Sequence, residues 1–288
     1  MGTNGLNEIL RPPADQYEGT LIPNMDFQKY LDLPDYLHSS DLKLLQQSVN
    51  HWLNKRSYPE TKALILGSLG HTMVLEMDKL TERYLVMPKV DARTKKGKEQ
   101  KMLAEEQANN EGKILISQED FTSALGWREN IQNNPVTSNV FMKSKGQNEV
   151  SGFFKHPDFE DTKGAFRVDK LLPDQMIAID LKIMLSAHPY AFMSSVKKFR
   201  YDIQAAWYID GLKAITGDTY DFLFVVCEKS SPNNVQTYRL SEETLEHARD
   251  DIRAIIKKFN AYKSADKNQQ NRLVGYYDGI QTLDIKYY

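Results

Sequence analysis

The chain has 288 residues, 41% hydrophobic and 26% charged, enough for a sizeable core in one elaborated domain or two small ones. Its single cysteine, Cys227, excludes a disulfide framework within the chain and points to a reducing cytoplasm. A formal charge of -2 excludes a generally cationic, nucleic-acid-coating surface, but it leaves room for a local basic channel.

Residues 1–25 carry Pro12-Pro13 and Pro23 with little periodicity and read as an extended N-terminal arm. No basic segment followed by an apolar one opens the chain, so no secretory signal is expected, and no apolar run approaches the length of a membrane span. Residues 26–38 read as irregular. Ser39-Ser40-Asp41 offers N-caps for a helix from Leu42 to Trp52. Serine hydroxyls and free amides at such a helix start can also hold a phosphate.

A second helix is predicted over Thr61–Leu80, where Gly67 and Gly70 allow close packing. His71 sits inside it. A histidine in an apolar helix is more often a satisfied core residue; His71 becomes a metal-ligand candidate if this helix packs beside the acids described below. Residues 89–101 form a basic loop with Arg93, Lys95, Lys96 and Lys98, either a solvated face or a set of phosphate contacts. Helices are predicted from Gln100 to Asn110 and from Ser117 to about Asn134, stopped by Pro135. Thr137–Ser144 and Glu149–Lys155 read as short strands.

The most informative stretch is Gly164–Met184, two strands joined by a turn at Pro173-Asp174. Alternation puts Ile177, Ile179, Leu181 and Ile183 on one face of the second strand and Asp180 and Lys182 on the other. In the first strand Asp169 shares a side with Arg167. Charges in an apolar strand are costly unless they pair or bind a metal. The pair Asp169 and Asp180, with Lys182 beside it, therefore reads either as a metal-dependent hydrolase centre or, more simply, as charges on an exposed edge strand, where an Asp-Leu-Lys triplet is common.

Next comes a helix from Pro189 to about Ile215, on which Gln204 and Tyr208 share a face with Tyr201. The apolar run Tyr220–Cys227 reads as a buried strand. Strand, helix and strand make a β-α-β unit with a parallel pair and a right-handed crossover. Val235–Leu240 is a further strand, and Ser241 caps a long helix to about Lys263. The polar-then-aromatic tail can dock through Tyr276, Tyr277 and Tyr287.

The order of these features resembles the PD-(D/E)xK nuclease superfamily. Asp169 stands for the first acid and Asp180-Leu181-Lys182 for the second motif, the two acids eleven residues apart. Gln204-Ala-Ala-Trp-Tyr208 is similar to the QxxxY motif of the branch with RecB, AddB and the phage recombination exonucleases. Within it the RecE type is resembled over roughly residues 30–280. The matching segments are Ser39–Lys43 with Trp52, Gly67–His71 with Leu75-Glu76, Arg93–Lys98, Phe199–Tyr208, and Glu228-Lys229 followed by Pro232. Ile183 departs from the Thr or Ser that often follows the motif lysine, and the arm has no counterpart.

The resemblance implies an α/β fold: a restriction-endonuclease-like core with a mixed central sheet flanked by helices and an N-terminal helical elaboration. It implies one exonuclease domain over residues 26–288 and a Mg²⁺ or Mn²⁺ site on His71, Asp169, Asp180 and the Leu181 carbonyl. Lys182 would orient or deprotonate the attacking water, Glu149 would touch a metal water, and Gln204 and Tyr208 would line the site. Ser39, Ser40, Arg93 and Lys96 would contact phosphates. The implied activity is 5′→3′ degradation of double-stranded DNA ends in phage or prophage recombination. It would be carried out by a ring-shaped trimer or tetramer that hands its product to a RecT/Bet-type annealing protein. Two alternatives keep the fold: a single-strand or flap nuclease of the RecB or CRISPR-adaptation kind, and a non-catalytic DNA-binding module.

Overall fold

Apolar residues at every second position make the strand Ile177–Met184 two-faced, and the two faces nucleate two different cores. Ile179 and Leu181 are buried with Leu69, Met73, Trp127 and Ile131, with Ile177 and Ile183 packed against them. Ala178 is buried on the other side with Phe154, Phe166, Trp207, Phe224 and Ile256. The sheet is thus covered on both faces, by the helices Lys62–Leu75 and Gln118–Asn133 on one and by Tyr201–Thr216 and Glu242–Ser264 on the other. The computed structural model describes residues 14–55, 61–91, 93–143, 146–276, 280 and 282.

In chain order the strands are β1 (Thr20–Pro23), β2 (Tyr36–Leu37), β3 (Tyr84–Val86), β4 (Ile114–Ile116), β5 (Gln147–His156), β6 (Phe159–Leu172), β7 (Ile177–Met184), β8 (Asp221–Glu228) and β9 (Val235–Tyr238). The main sheet runs β1-β5-β6-β7-β8-β9, with β2 pairing β6; β3 and β4 form a separate parallel pair. β5, β6 and β7 are antiparallel neighbours, while β7 and β8 are parallel in register from Ile177↔Asp221 to Met184↔Glu228. This is the expected mixed α/β sheet. Among the described residues no helix is long and apolar enough to cross a membrane.

Several local expectations change. Residues 20–23 of the anticipated arm pair with β5 as an edge strand, and residues 1–13 lie outside the described residues. The expected irregular stretch 26–38 holds the short helix Phe27–Leu31 and β2. The helix expected over 42–52 is two, Ser39–Gln47 and Val49–Leu53: Ser48 is extended, and its hydroxyl caps the second. The basic loop is helical from Lys95, with Thr94 as cap. Residues 137–143 are helical rather than a strand, because Asn134 caps a new turn and Pro135 occupies its first position, where a missing N–H costs nothing. Ser144 is outside the described residues. Residues 189–216 break at Arg200, which takes a left-handed φ of 52° and is held by Asp202. A further helix, Lys267–Leu273, occupies the tail; Tyr276 lies beside His51 at 5.7 Å between ring centroids, and Tyr277 and Tyr287 are outside the described residues.

Close approach of helix to sheet is set by small residues against large rings. A side chain at Gly211 would meet Phe166 and Phe154 at 2.6–2.7 Å, so only a bare Cα lets Tyr201–Thr216 settle on β5 and β6. Trp207 meets Phe154 edge-on at 4.9 Å and donates its indole N–H to the Ala165 carbonyl at 3.1 Å.

The helix Lys62–Leu75, which carries His71, ends at Glu76. The Glu76 carboxylate is buried and binds Lys79 and Arg83; Arg83 also reaches Thr72 Oγ1 at 3.0 Å. Burial raises the Glu76 pKa, but its bonds to Lys79 and Arg83 outweigh this and hold it below the usual range. Its folded pKa is thus below the unfolded value of about 4.3, so its contribution is present above that pH and lost as pH falls through the depressed value. Glu76→Gln is expected to cost about 1–3 kcal/mol at pH 7. Urea unfolding should show that gap closing below about pH 4; a gap unchanged at pH 3 would contradict the assignment.

Candidate active site

The site grows from a fork in the sheet. β6 and β7 pair over only three rungs, Lys170↔Ile179, Leu171↔Ala178 and Leu172↔Ile177, and then part. β7 stays with β8 for its whole length. Beyond the last rung the Leu181 backbone has lost its partner on the β6 side, and two side chains replace it. The Leu181 N–H donates to Asp169 Oδ2 at 2.6 Å, and the Leu181 carbonyl lies 2.9 Å from His71 Nε2. Asp169 Oδ1 is 3.5 Å from His71 Nδ1. One imidazole thus contacts both the first acid and the strand that carries the second.

Glu149 comes from the other side. The β5–β6 register pairs Asn148 with Lys170 and Val150 with Val168, which sets Glu149 opposite Asp169. Like charges opposite each other across two strands are unfavourable. Glu149 also takes a left-handed φ of 51°, rare for a residue with a Cβ. Arg167, two residues before Asp169 and so on the same face, donates to Glu149 Oε2 at 2.6 Å, and it anchors on the Met25 carbonyl at 2.7 Å and Ser151 Oγ at 3.1 Å. Among the described residues, the group of acidic and imidazole ligands whose atoms lie within 4.8 Å of one another is His71, Glu149 and Asp169.

Asp180 lies beside this group rather than within it. Its Oδ2 is 2.6 Å from Lys182 Nζ, and its Oδ1 accepts a short hydrogen bond from Gln204 Nε2. Lys182 Nζ sits 4.7 Å from the centre of the Tyr201 ring. Gln204 thus holds Asp180 rather than Lys182. Tyr208 is buried on the same helix, edge-on to Phe222, with its phenol within hydrogen-bonding reach of Ser39. Ser40 is exposed. Arg93 and Lys96 are exposed at the start of the helix Lys95–Glu111, and no hydrogen bond or ion pair among the described residues joins either to the acids.

The electrostatics follow. Burial lowers the His71 pKa, but Asp169 above all, with Glu149 and Asp180, raises it to about 9. Burial raises Asp169, but His71, Lys182 and the Leu181 amide hold it low. Burial, joined by the charge of Asp169, keeps Glu149 and Asp180 high. Against its own burial, Lys182 is held well above the usual lysine range by Asp180 and Asp169. Tyr208 is pushed up to about 12, chiefly by burial. The oxygen donors therefore converge on positive charge. Carboxylates with a carbonyl and one imidazole are a hard donor set suited to Mg²⁺ or Mn²⁺, so the residues fit a divalent ion.

Two of these residues had weak sequence signals. Arg167 is legible only as the strand neighbour of Asp169, and the place of Glu149 in the ligand group needs the β5–β6 register.

If the group binds a divalent ion, saturating Mg²⁺ or Mn²⁺ stabilises the folded chain by about 2.7 kcal/mol at a hundredfold excess over Kd, roughly 5–10 °C in melting temperature. Asp169→Asn is expected to lose that increment. An equal metal-dependent rise in the variant, measured by thermal denaturation, would place the ion elsewhere.

The family model described as PDDEXK-like domain of unknown function (DUF3799) matches residues 38–271. A crystal structure from Eubacterium rectale, provisionally named an exonuclease, superposes with a TM-score of 0.58 at 16% identity, covering 91% of this chain and 96% of that one. At that identity the likeness is one of fold. An alkaline exonuclease from Laribacter hongkongensis aligns over 85% of this chain and 97% of its own at 11% identity, with a TM-score of 0.33. No curated protein matches the sequence.

Proposed function

Because the chain belongs to this PDDEXK-like domain family, we propose that it is a metal-dependent exonuclease that degrades one strand of duplex DNA from its 5′ end and leaves a 3′ single-stranded tail. The observation that carries this reading is the meeting, at one strand fork, of the His71, Glu149 and Asp169 group with the Asp180–Lys182 pair. His71, Asp169 and Glu149, with Asp180 and the Leu181 carbonyl adjoining, would hold Mg²⁺ or Mn²⁺. Such an ion supplies electrophilic charge at a phosphodiester.

This chain's own groups do the rest. Asp180 and Asp169 favour the charged form of Lys182, which suits it to orient the attacking water and to offset charge on the phosphorane. Gln204 fixes Asp180, which fixes Lys182. The Tyr208 phenol stays protonated and can donate to a phosphate oxygen. Arg167 holds Glu149 in place. Ser39 and Ser40 at their helix start, and Arg93 and Lys96 on the exposed basic turn, serve as phosphate contacts that position the duplex without reading its sequence.

The finer reading is RecE-like. Residues 26–288 act as one exonuclease domain, to whose sheet residues 20–23 add an edge strand. The enzyme works in the cytoplasm of a bacterial host during phage recombination, as a ring of three or four copies, and passes its product to a RecT/Bet-type annealing protein. The support for this finer reading is the ordered set of motifs in the chain.

The test is a time course on linear duplex labelled at the 5′ or the 3′ end, with added Mg²⁺. Early loss of the 5′ label with the 3′ label retained is the expected pattern; preferential attack on single strands or flaps would favour the alternative nuclease class. Asp180→Ala and Lys182→Ala should each abolish digestion while the far-ultraviolet dichroism stays that of wild type. Retained digestion in either would refute the site. Charge reversal at Arg93 and Lys96 together should weaken duplex binding and flatten its salt dependence. Unchanged binding would remove that turn from the DNA path.

A further inference from the structure

Tyr201 opens the helix Tyr201–Thr216, and its ring faces two ammonium groups. Lys182 Nζ lies 4.7 Å from the ring centre and Lys43 Nζ 5.5 Å, so the two charges are no more than about 10 Å apart. Lys43 stands on the helix Ser39–Gln47, one turn beyond Ser39, whose side chain reaches Tyr208. The two lysines differ in one respect. Lys182 has Asp180 as its counter-ion. Lys43 is partly buried, and no carboxylate among the described residues lies within ion-pair distance of it. The acids whose fields it feels are engaged elsewhere: Asp180 by Lys182 and Gln204, Asp202 by Arg200. Burial, then the like charge of Lys182, pulls the Lys43 ammonium down to about 8.

An unpaired cation in such a place is unfavourable, and one aromatic face does not offset two charges. An anion seated beside Lys43 would. Along one strand of duplex DNA phosphates recur at every nucleotide, ~3.4 Å along the helix axis and further apart through space, so two lysines within about 10 Å of each other can serve neighbouring phosphates.

We propose that Lys43, with Tyr201 and Lys182, forms a seat for a second phosphodiester of the substrate strand, next to the one that is attacked. This rests on the nuclease reading and adds a positioning residue to it. The lysine is kept in an unfavourable setting in the free protein because the strand relieves it.

The experiment compares wild type, Lys43→Met and Lys43→Arg. Melting is measured without DNA. Affinity for a short blunt 5′-phosphorylated duplex is measured by fluorescence anisotropy in Ca²⁺ over a range of salt. Wild-type digestion of the same duplex in Mg²⁺ is run in parallel. Lys43→Met should melt no lower than wild type, bind about tenfold more weakly, and show a salt slope smaller by about one ion. Lys43→Arg should restore the slope. Wild-type affinity and slope in Lys43→Met would overturn the proposal. So would weaker binding accompanied by a lower melting temperature, because a structural role then accounts for the loss. A wild type that binds duplex but does not digest it would sink the nuclease reading while the slopes still decide Lys43; a wild type that binds no duplex would sink both.

Discussion

The site depends on the parting of β6 from β7 after three rungs. A strand that leaves its neighbour exposes an N–H and a carbonyl, and burial makes both expensive unless they are satisfied. At Leu181 the N–H is satisfied by the Asp169 carboxylate and the carbonyl by the His71 ring. A hydrogen-bonding deficit in the sheet thereby becomes a fixed geometry for an acid and an imidazole. β8 makes this affordable: its parallel register with β7 runs the full length of the strand, so β7 stays anchored where β6 has let go.

Around that fork the molecule tolerates arrangements that a purely structural sheet would avoid. Glu149 opposes Asp169 across an antiparallel pair, with its backbone in the left-handed region. Among the described residues no carboxylate pairs with Lys43. Asp180, Lys182 and Gln204 are packed between an apolar strand and a helix that is otherwise sealed by Trp207, Phe154 and Phe166. Such clustering of strained backbone and perturbed charge belongs to sites kept for binding or catalysis. The two-sided core supplies the rigidity, since helices pinned on both faces leave the sheet little freedom to relax the strain.

Much of this was legible beforehand, and the reasons differ by residue. Period-two alternation made Ile177–Met184 readable as a strand and put Asp180 and Lys182 on one side. Period-four spacing placed Gln204 and Tyr208 on one helix face with Tyr201. Where local sequence misled, a backbone residue had two uses. Pro135 stops one helix and starts another, Ser48 breaks a helix and caps the next, and Arg200 turns left-handed to divide what looked like one long helix.

The sequence by itself determined the strand order around the acids, the placing of Asp180 and Lys182 on one face of their strand and the helix that bears Gln204, because these follow from short-range periodicity and chain order. Only the tertiary structure decided that Glu149 joins His71 and Asp169 while Asp180 turns to Gln204, and that Lys43 shares a ring with Lys182. Those relations span from tens of residues to well over a hundred and depend on sheet register and on where the β6–β7 ladder stops, which no local pattern encodes.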